Sequence, residues 1–129
     1  MDPISSMITQ IRNALAVKKP FISIPASNFK YDLASLLADL GYLRSVSRVG
    51  RGVKKYLKIE LKYNNNGESV LRQIKKISKP GQRIYLPSHE IKSVKSGLGC
   101  LIVSTSSGLM TNKEAKKKGL GGEIICEVF

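Results

Sequence analysis

Near its C-terminal end the chain places four consecutive short hydroxyl side chains, Ser104-Thr105-Ser106-Ser107, directly before Gly108. Hydroxyls of this kind, with the backbone N–H groups left unpaired where an apolar strand ends and a helix begins, are donors that meet phosphate, sugar and base edges in nucleic-acid complexes. The same residues can instead close a turn by bonding their own backbone. A second small-residue run, Gly119-Leu120-Gly121-Gly122, either admits a close backbone approach to a ligand or serves a helix end followed by a tight turn. No glycine-rich stretch is followed by Lys-Ser or Lys-Thr, so the phosphate loop of nucleotide hydrolases is excluded.

Catalytic and metal chemistry find less support. His89, the single histidine, stands beside Pro87-Ser88 in an expected turn where nothing orients it toward a serine or an acid. The nine carboxylates are scattered, so no general acid is paired with a general base. Cys100 and Cys126 sit in apolar runs and read as buried small hydrophobes. Two cysteines and one histidine fall short of a zinc site, whose four ligands come in spaced pairs. The expectation is a protein that is not an enzyme and needs no metal or cofactor.

The basic residues remain. Among 129 residues, 22 Lys and Arg oppose nine Asp and Glu, for a formal charge of +13, and self-repulsion of that size favours an anionic partner. Residues 1–63 carry eleven cations against four acids and residues 64–129 eleven against five, so the charge is spread along the whole chain, as a long anion would require. Tyr42, Tyr56, Tyr63 and Tyr85 are interleaved with Lys and Arg, where an exposed ring could stack on an unpaired base and a buried one would be core. No RNP-type aromatic motif, KH-type GXXG or helix-turn-helix pattern is present. No apolar run approaches the roughly 20 residues of a membrane span, and Met1-Asp2-Pro3-Ile4 lacks the basic start of a targeting segment.

Hydrophobic residues make up 42% of the chain, enough for a core. Asp2 is placed to cap, and Pro3 to open, a helix with Ile4, Met7, Ile8, Ile11 and Leu15 at helical spacing. Phe21 to Ile24, ended by Pro25, reads as a strand. Ser27 or Asn28 then caps a helix with a Leu33, Leu36, Leu37 and Leu40 stripe, closed by Gly41. From there the period changes to two: Tyr42 to Val49 and Val53 to Tyr63 are strands joined at Gly50-Arg51-Gly52. The polar cluster Asn64-Asn65-Asn66-Gly67 marks a boundary or a long hairpin. Beyond it the pieces are short: a basic stretch turning at Pro80-Gly81, one or two helical turns within Glu90 to Ser96, a strand from Cys100 to Val103, a helix capped by Thr111 with Glu114, and a last strand from Glu123 to Phe129. The fold class is α+β in two small modules. Residues 1–63 form a helix-strand-helix-strand-strand unit, and residues 64–129 a mainly β unit with short helices.

In order along the chain, Asp2-Pro3-Ile4 with Ile11-Arg12-Asn13-Ala14, Ile77-Ser78-Lys79-Pro80-Gly81 with Arg83-Ile84-Tyr85, Gly97-Leu98-Gly99, Val103-Ser104-Thr105-Ser106 with Gly108 and Met110-Thr111, and Gly119-Leu120-Gly121-Gly122-Glu123-Ile124-Ile125-Cys126 together resemble the S-eight family of bacterial-type small-subunit ribosomal proteins. The resemblance covers essentially the whole chain and is densest from Ile77 onward. It implies a structural constituent of the small ribosomal subunit, a primary binder of ribosomal RNA that docks on the central domain of 16S-type RNA and organises assembly. It further implies that the C-terminal module is the principal RNA surface. There Ser104, Thr105 and Ser106 reach an irregular helix, while Lys79, Arg83 and Tyr85 and then Gly121, Gly122 and Glu123 line the same surface. The N-terminal module is implied to touch a second RNA helix through Pro3, Arg12 and Lys30. Neighbouring small-subunit proteins are implied partners. So is the messenger RNA of its own operon, which some family members bind, and no membrane is implied. The expected place is a ribosome in the bacterial cytoplasm, with an organelle-encoded copy in a mitochondrion or plastid as the alternative. The chain departs from the family pattern in its short, basic Gly50-Arg51-Gly52 loop and in Asn64-Asn65-Asn66.

Overall fold

In the computed structural model, which describes residues 3–91 and 99–129, the first apolar periodicity becomes helix α1, Pro3–Ala16, with Met7, Ile8, Ile11 and Ala14 buried. Pro3 opens the helix, where its missing N–H costs nothing. The expected cap, Asp2, lies outside the described residues. Strand β1 (Phe21–Pro25) leads to α2 (Asn28–Asp39), whose N-cap is Ser27: its hydroxyl accepts from the Lys30 N–H at 3.2 Å. Of the leucine stripe, Leu33 and Leu37 are buried together with Ala34. Leu40 is 39% exposed because it is the C-cap and lies past the last turn. Gly41 follows with φ 87°, the left-handed residue that ends the helix.

Strands β2 (Leu43–Arg51) and β3 (Lys54–Leu61) complete an antiparallel sheet in the order β1-β3-β2. As an edge strand, β1 tolerates Pro25. On β3, Leu57, Ile59 and Leu61 are buried and Tyr56 is exposed, so the period-two pattern holds. The hairpin is tighter than the glycines suggest. Gly50 and Arg51 still pair with Lys55 and Lys54, so the turn proper is Gly52-Val53, with Gly52 at φ 63°. The asparagine cluster is a turn as well: Asn64 Oδ1 accepts from the N–H groups of Asn66 (2.9 Å) and Glu68 (3.0 Å). Val70 N–H then returns to Lys62 O, and the first compact unit runs from Met1 to Arg72 instead of stopping at Tyr63. A polar turn-former cluster signals a chain reversal, and here the reversal is folded back onto its own sheet edge.

The second unit, Gln73–Phe129, is mainly β. Its elements are β4 (Ile74–Lys76), β5 (Tyr85–Leu86), a 3-10 turn at Ser88–Glu90, β6 (Cys100–Thr105), β7 (Gly108–Thr111), α3 (Asn112–Lys117) and β8 (Gly122–Val128). Of the short helix expected within Glu90 to Ser96, residues 92–98 lie outside the described residues. So do Gly97 and Leu98, whose motif keeps only Gly99 in view. All pairings are antiparallel. β8 has β6 on one side and both β4 and β5 on the other, and β7 lies outside β6. Val103, Met110, Ala115, Ile124 and Ile91 form the core under α3. Thr111 caps α3 by accepting from the Glu114 N–H, and the buried Asn112 Oδ1 accepts from Leu101 N–H, tying the helix to β6. Cys100 and Cys126 are both buried thiols that form no disulfide, and burial pushes the Cys126 thiol up to about 12. Among the described residues no helix is long and apolar enough to cross a membrane.

Candidate nucleic-acid interface

The hydroxyl segment lies in a β-hairpin, which corrects the expected strand-to-helix junction. β6 continues through Ser104 and Thr105, Ser106 and Ser107 make the turn, and β7 starts at Gly108. Four residues, Gly108-Leu109-Met110-Thr111, are too few to show a period, so this strand was not apparent from the sequence. The hairpin divides the hydroxyls by position. Thr105 Oγ1 donates to Gly108 O at 2.9 Å and accepts from Ser107 N–H at 3.1 Å, so this side chain closes the turn. The hydroxyls of Ser104, half-buried, and Ser106, exposed, make no hydrogen bond to a protein group among the described residues. Replacing Thr105 by Ala is therefore expected to lower stability by roughly 1–2 kcal/mol, the scale of one or two lost hydrogen bonds. RNA affinity should stay within about twofold. Thermal melting by circular dichroism, with binding at one salt concentration, checks both.

Register assembles the site around Ser104. Ser104 lies opposite Leu109 on β7 and Glu123 on β8, and Glu123 in turn lies opposite Tyr85 on β5. Directly opposed residues of antiparallel strands share a face, so Ser104, Glu123 and Tyr85 stand in one row about 10 Å wide. Tyr85 is 67% exposed, an aromatic surface set against polar neighbours. Arg83 Nη1 donates to Glu123 Oε2 at 3.1 Å, which holds the carboxylate and leaves the rest of the guanidinium fork at the half-open surface.

Lys79 sits in the turn Lys79-Pro80-Gly81-Gln82, closed by reciprocal backbone bonds of 3.0 and 2.9 Å. The loop is fixed to the sheet by Ser78, almost fully buried, whose Oγ accepts from Ile84 N–H at 3.0 Å, while Ser78 N–H donates to Ile124 O. A residue that sequence reasoning left out of the site joins it: Lys76 on β4. Its ammonium is held below its usual range by burial first and then by the charge of Arg83, with Glu123 opposing and Lys79 adding. Only the β4–β8 pairing could have revealed this grouping. Among the described residues no cluster of His, Cys, Asp and Glu could hold a metal ion.

The glycines serve the sheet. A Cβ on Gly122 would stand 2.1 Å from Ser104 O, and one on Gly121 2.6 Å from Leu86 O, whereas Gly119 at φ 69° ends α3. Gly121 and Gly122 thus let β8 approach β6 and β5 closely enough to bring Glu123 beside Ser104 and Tyr85.

In the first unit, Pro3 and Lys30 line a cleft of about 320 Å³ with Ile4, Ser27 and Phe29, and Lys30 Nζ donates to Pro25 O at 3.3 Å. Arg12 does not join them: nine residues after Pro3 on an α-helix, it points about 180° away.

The family model for ribosomal protein S8 matches residues 2–129. The chain is 46% identical over 128 residues to the small ribosomal subunit protein uS8 of Clostridioides difficile, covering 99% of this chain and 97% of that one. It is 43% identical over 128 residues to the protein of the same name from Thermodesulfovibrio yellowstonii (99% and 98% covered) and 46% over 129 residues to that of Rhodopirellula baltica (98% and 97%). With a match that runs through both units and relatives matched end to end, this chain belongs to the ribosomal protein S8 family.

Proposed function

We infer that the second unit docks on an irregular helix of the central domain of 16S-type RNA through the row formed by Ser104, Glu123 and Tyr85, flanked by Arg83, Lys79 and Lys76. The protein is a non-enzymatic structural component of the small ribosomal subunit, in the bacterial cytoplasm. The observation that carries the inference is the division of hydroxyls. Ser104 and Ser106 keep their bonding capacity on the same hairpin in which Thr105 closes the turn. Donors placed on a paired strand and in the tight turn that follows it are held rigidly enough to read an irregular shape, and nearby cations position the phosphates. The first unit adds a second contact through the Pro3 and Lys30 cleft, with Arg12 on a separate face of α1. Neighbouring small-subunit proteins complete its surroundings. A messenger of its own operon that folds into the same irregular helix would meet the same surface.

The test is the double change Ser104→Ala and Ser106→Ala, which removes two donors and no backbone bond. The ratio of affinity for a central-domain RNA fragment to affinity for a plain duplex, at one salt concentration, is expected to fall about tenfold or more, which corresponds to about 1.4 kcal/mol. An unchanged ratio in a folded variant would make the hydroxyls structural.

A further inference from the structure

The helices of the first unit cover one face of its sheet. Arg48, opposite the buried Leu57, reaches that side, where its guanidinium stacks 4.1 Å from the ring centroid of Tyr31 on α2. The other face carries Tyr56, Lys58 and Glu60 in a column. Tyr56 is flanked by Pro25 on β1 and Val49 on β2, and Glu60 by Phe21 on β1. Two aromatic rings stand there partly exposed, Phe21 at 45% and Tyr56 at 46%, and Lys58 Nζ lies 4.6 Å from the Phe21 centroid. Strand geometry separates the rings by roughly 14 Å, with Lys58 between them.

Charge says what such a face would take. Between Asp39 and Glu60 the chain has six Lys or Arg and no Asp or Glu; by strand alternation Arg51, Lys54 and Lys58 share the face of Tyr56, and Arg44 lines a cleft with Phe21 and Glu60, whereas Arg48 and Lys55 lie on the helix side. A surface that combines exposed rings with cations and few acids suits a strand whose bases are unpaired. The bases supply flat π faces and the phosphates supply negative charge, whereas a duplex hides its bases from rings on a flat sheet. We propose that the open face of the β1-β3-β2 sheet is a stacking platform for a single-stranded segment of ribosomal RNA. One base lies on Tyr56 against Pro25 and Val49, and a second lies on Phe21. When the second base takes the place of the Lys58 ammonium on the Phe21 ring, that ammonium moves to a phosphate. The site is separate from the hydroxyl hairpin of the second unit and rests on the ribosomal RNA reading only for the origin of its ligand.

The full chain should bind a labelled twelve-residue oligouridine, which has no structure of its own, more tightly than a duplex of equal length at the same salt. Exchanging both rings for aliphatic groups of similar bulk, Phe21→Leu with Tyr56→Leu, keeps the charge and the packing. It is expected to weaken oligouridine binding about tenfold or more and leave the melting temperature and duplex binding unchanged. Ser104→Ala with Ser106→Ala should leave oligouridine binding unchanged, so a failure of the hairpin site and a failure of this platform give different results. In reconstituted subunits a photoreactive phenylalanine analogue in place of Tyr56 should cross-link to RNA. Equal losses for single strand and duplex, undiminished binding by the leucine variant, or a cross-link to a neighbouring protein alone would overturn the proposal.

Discussion

Replacing Gly122 by Ala is expected to damage the fold and the RNA site together. The added methyl would lie 2.1 Å from Ser104 O, and that oxygen belongs to a strand paired on both sides, so neither backbone can yield without breaking a ladder. Gly122 has no positive φ, so the penalty is one of space and not of backbone conformation. A cost of roughly 3 kcal/mol, at the upper end of overpacking penalties, is expected. For a unit of this size that lowers the melting temperature by about 15 °C. Because Glu123 and Tyr85 reach Ser104 only through this close approach, specific RNA binding should fall even below the melting temperature. Gly81→Ala is the control: nothing lies within 4 Å of its Cβ direction, and stability should change by less than about 0.5 kcal/mol. Melting curves of the two variants compare the effects directly.

Salt should have the largest effect on affinity. The +13 charge is divided almost evenly between the two halves of the sequence, and each unit presents its own group of cations: Lys76, Lys79 and Arg83 in one, Lys30, Arg12 and the hairpin residues in the other. If about six phosphates are neutralised, affinity for the ribosomal RNA site should drop about a thousandfold between roughly 50 and 200 mM monovalent salt. Titration at four or five salt concentrations gives the log–log slope. A flat dependence would mean that phosphate contacts contribute little, against the distribution of charge.

What the sequence revealed was set by the range of each interaction. Both long helices, the Ser27 and Thr111 caps and the left-handed Gly41 and Gly119 were legible because each depends on residues within one or two turns. The buried side of β3 was legible because Leu57, Ile59 and Leu61 repeat at a strand period. The hydroxyl run was legible as a candidate site but not its internal division. Whether a side chain closes a turn or faces outward depends on where β6 stops, and nothing in four similar residues says where. Lys76 went unassigned because its neighbours Arg83 and Glu123 lie seven and forty-seven residues away and meet it only through β8. Gly122, likewise, reads in sequence as room for a ligand or as part of a tight turn, and its steric role depends on a carbonyl eighteen positions earlier in the chain.

The central claim, that the β6–β7 hairpin is the protein's specific RNA contact, is tested most directly by cleavage from the hairpin itself. Ser107→Cys introduces an exposed thiol for an iron chelate in the same turn without touching the Ser104 and Ser106 hydroxyls, while Cys100 and Cys126 stay unlabelled because both are buried and burial keeps the Cys126 thiol protonated. Bound to full-length 16S-type RNA and triggered to release hydroxyl radicals, the tethered chelate is expected to cut a few nucleotides flanking one irregular helix of the central domain. Cuts scattered over several domains, or concentrated away from the central domain, would contradict the account.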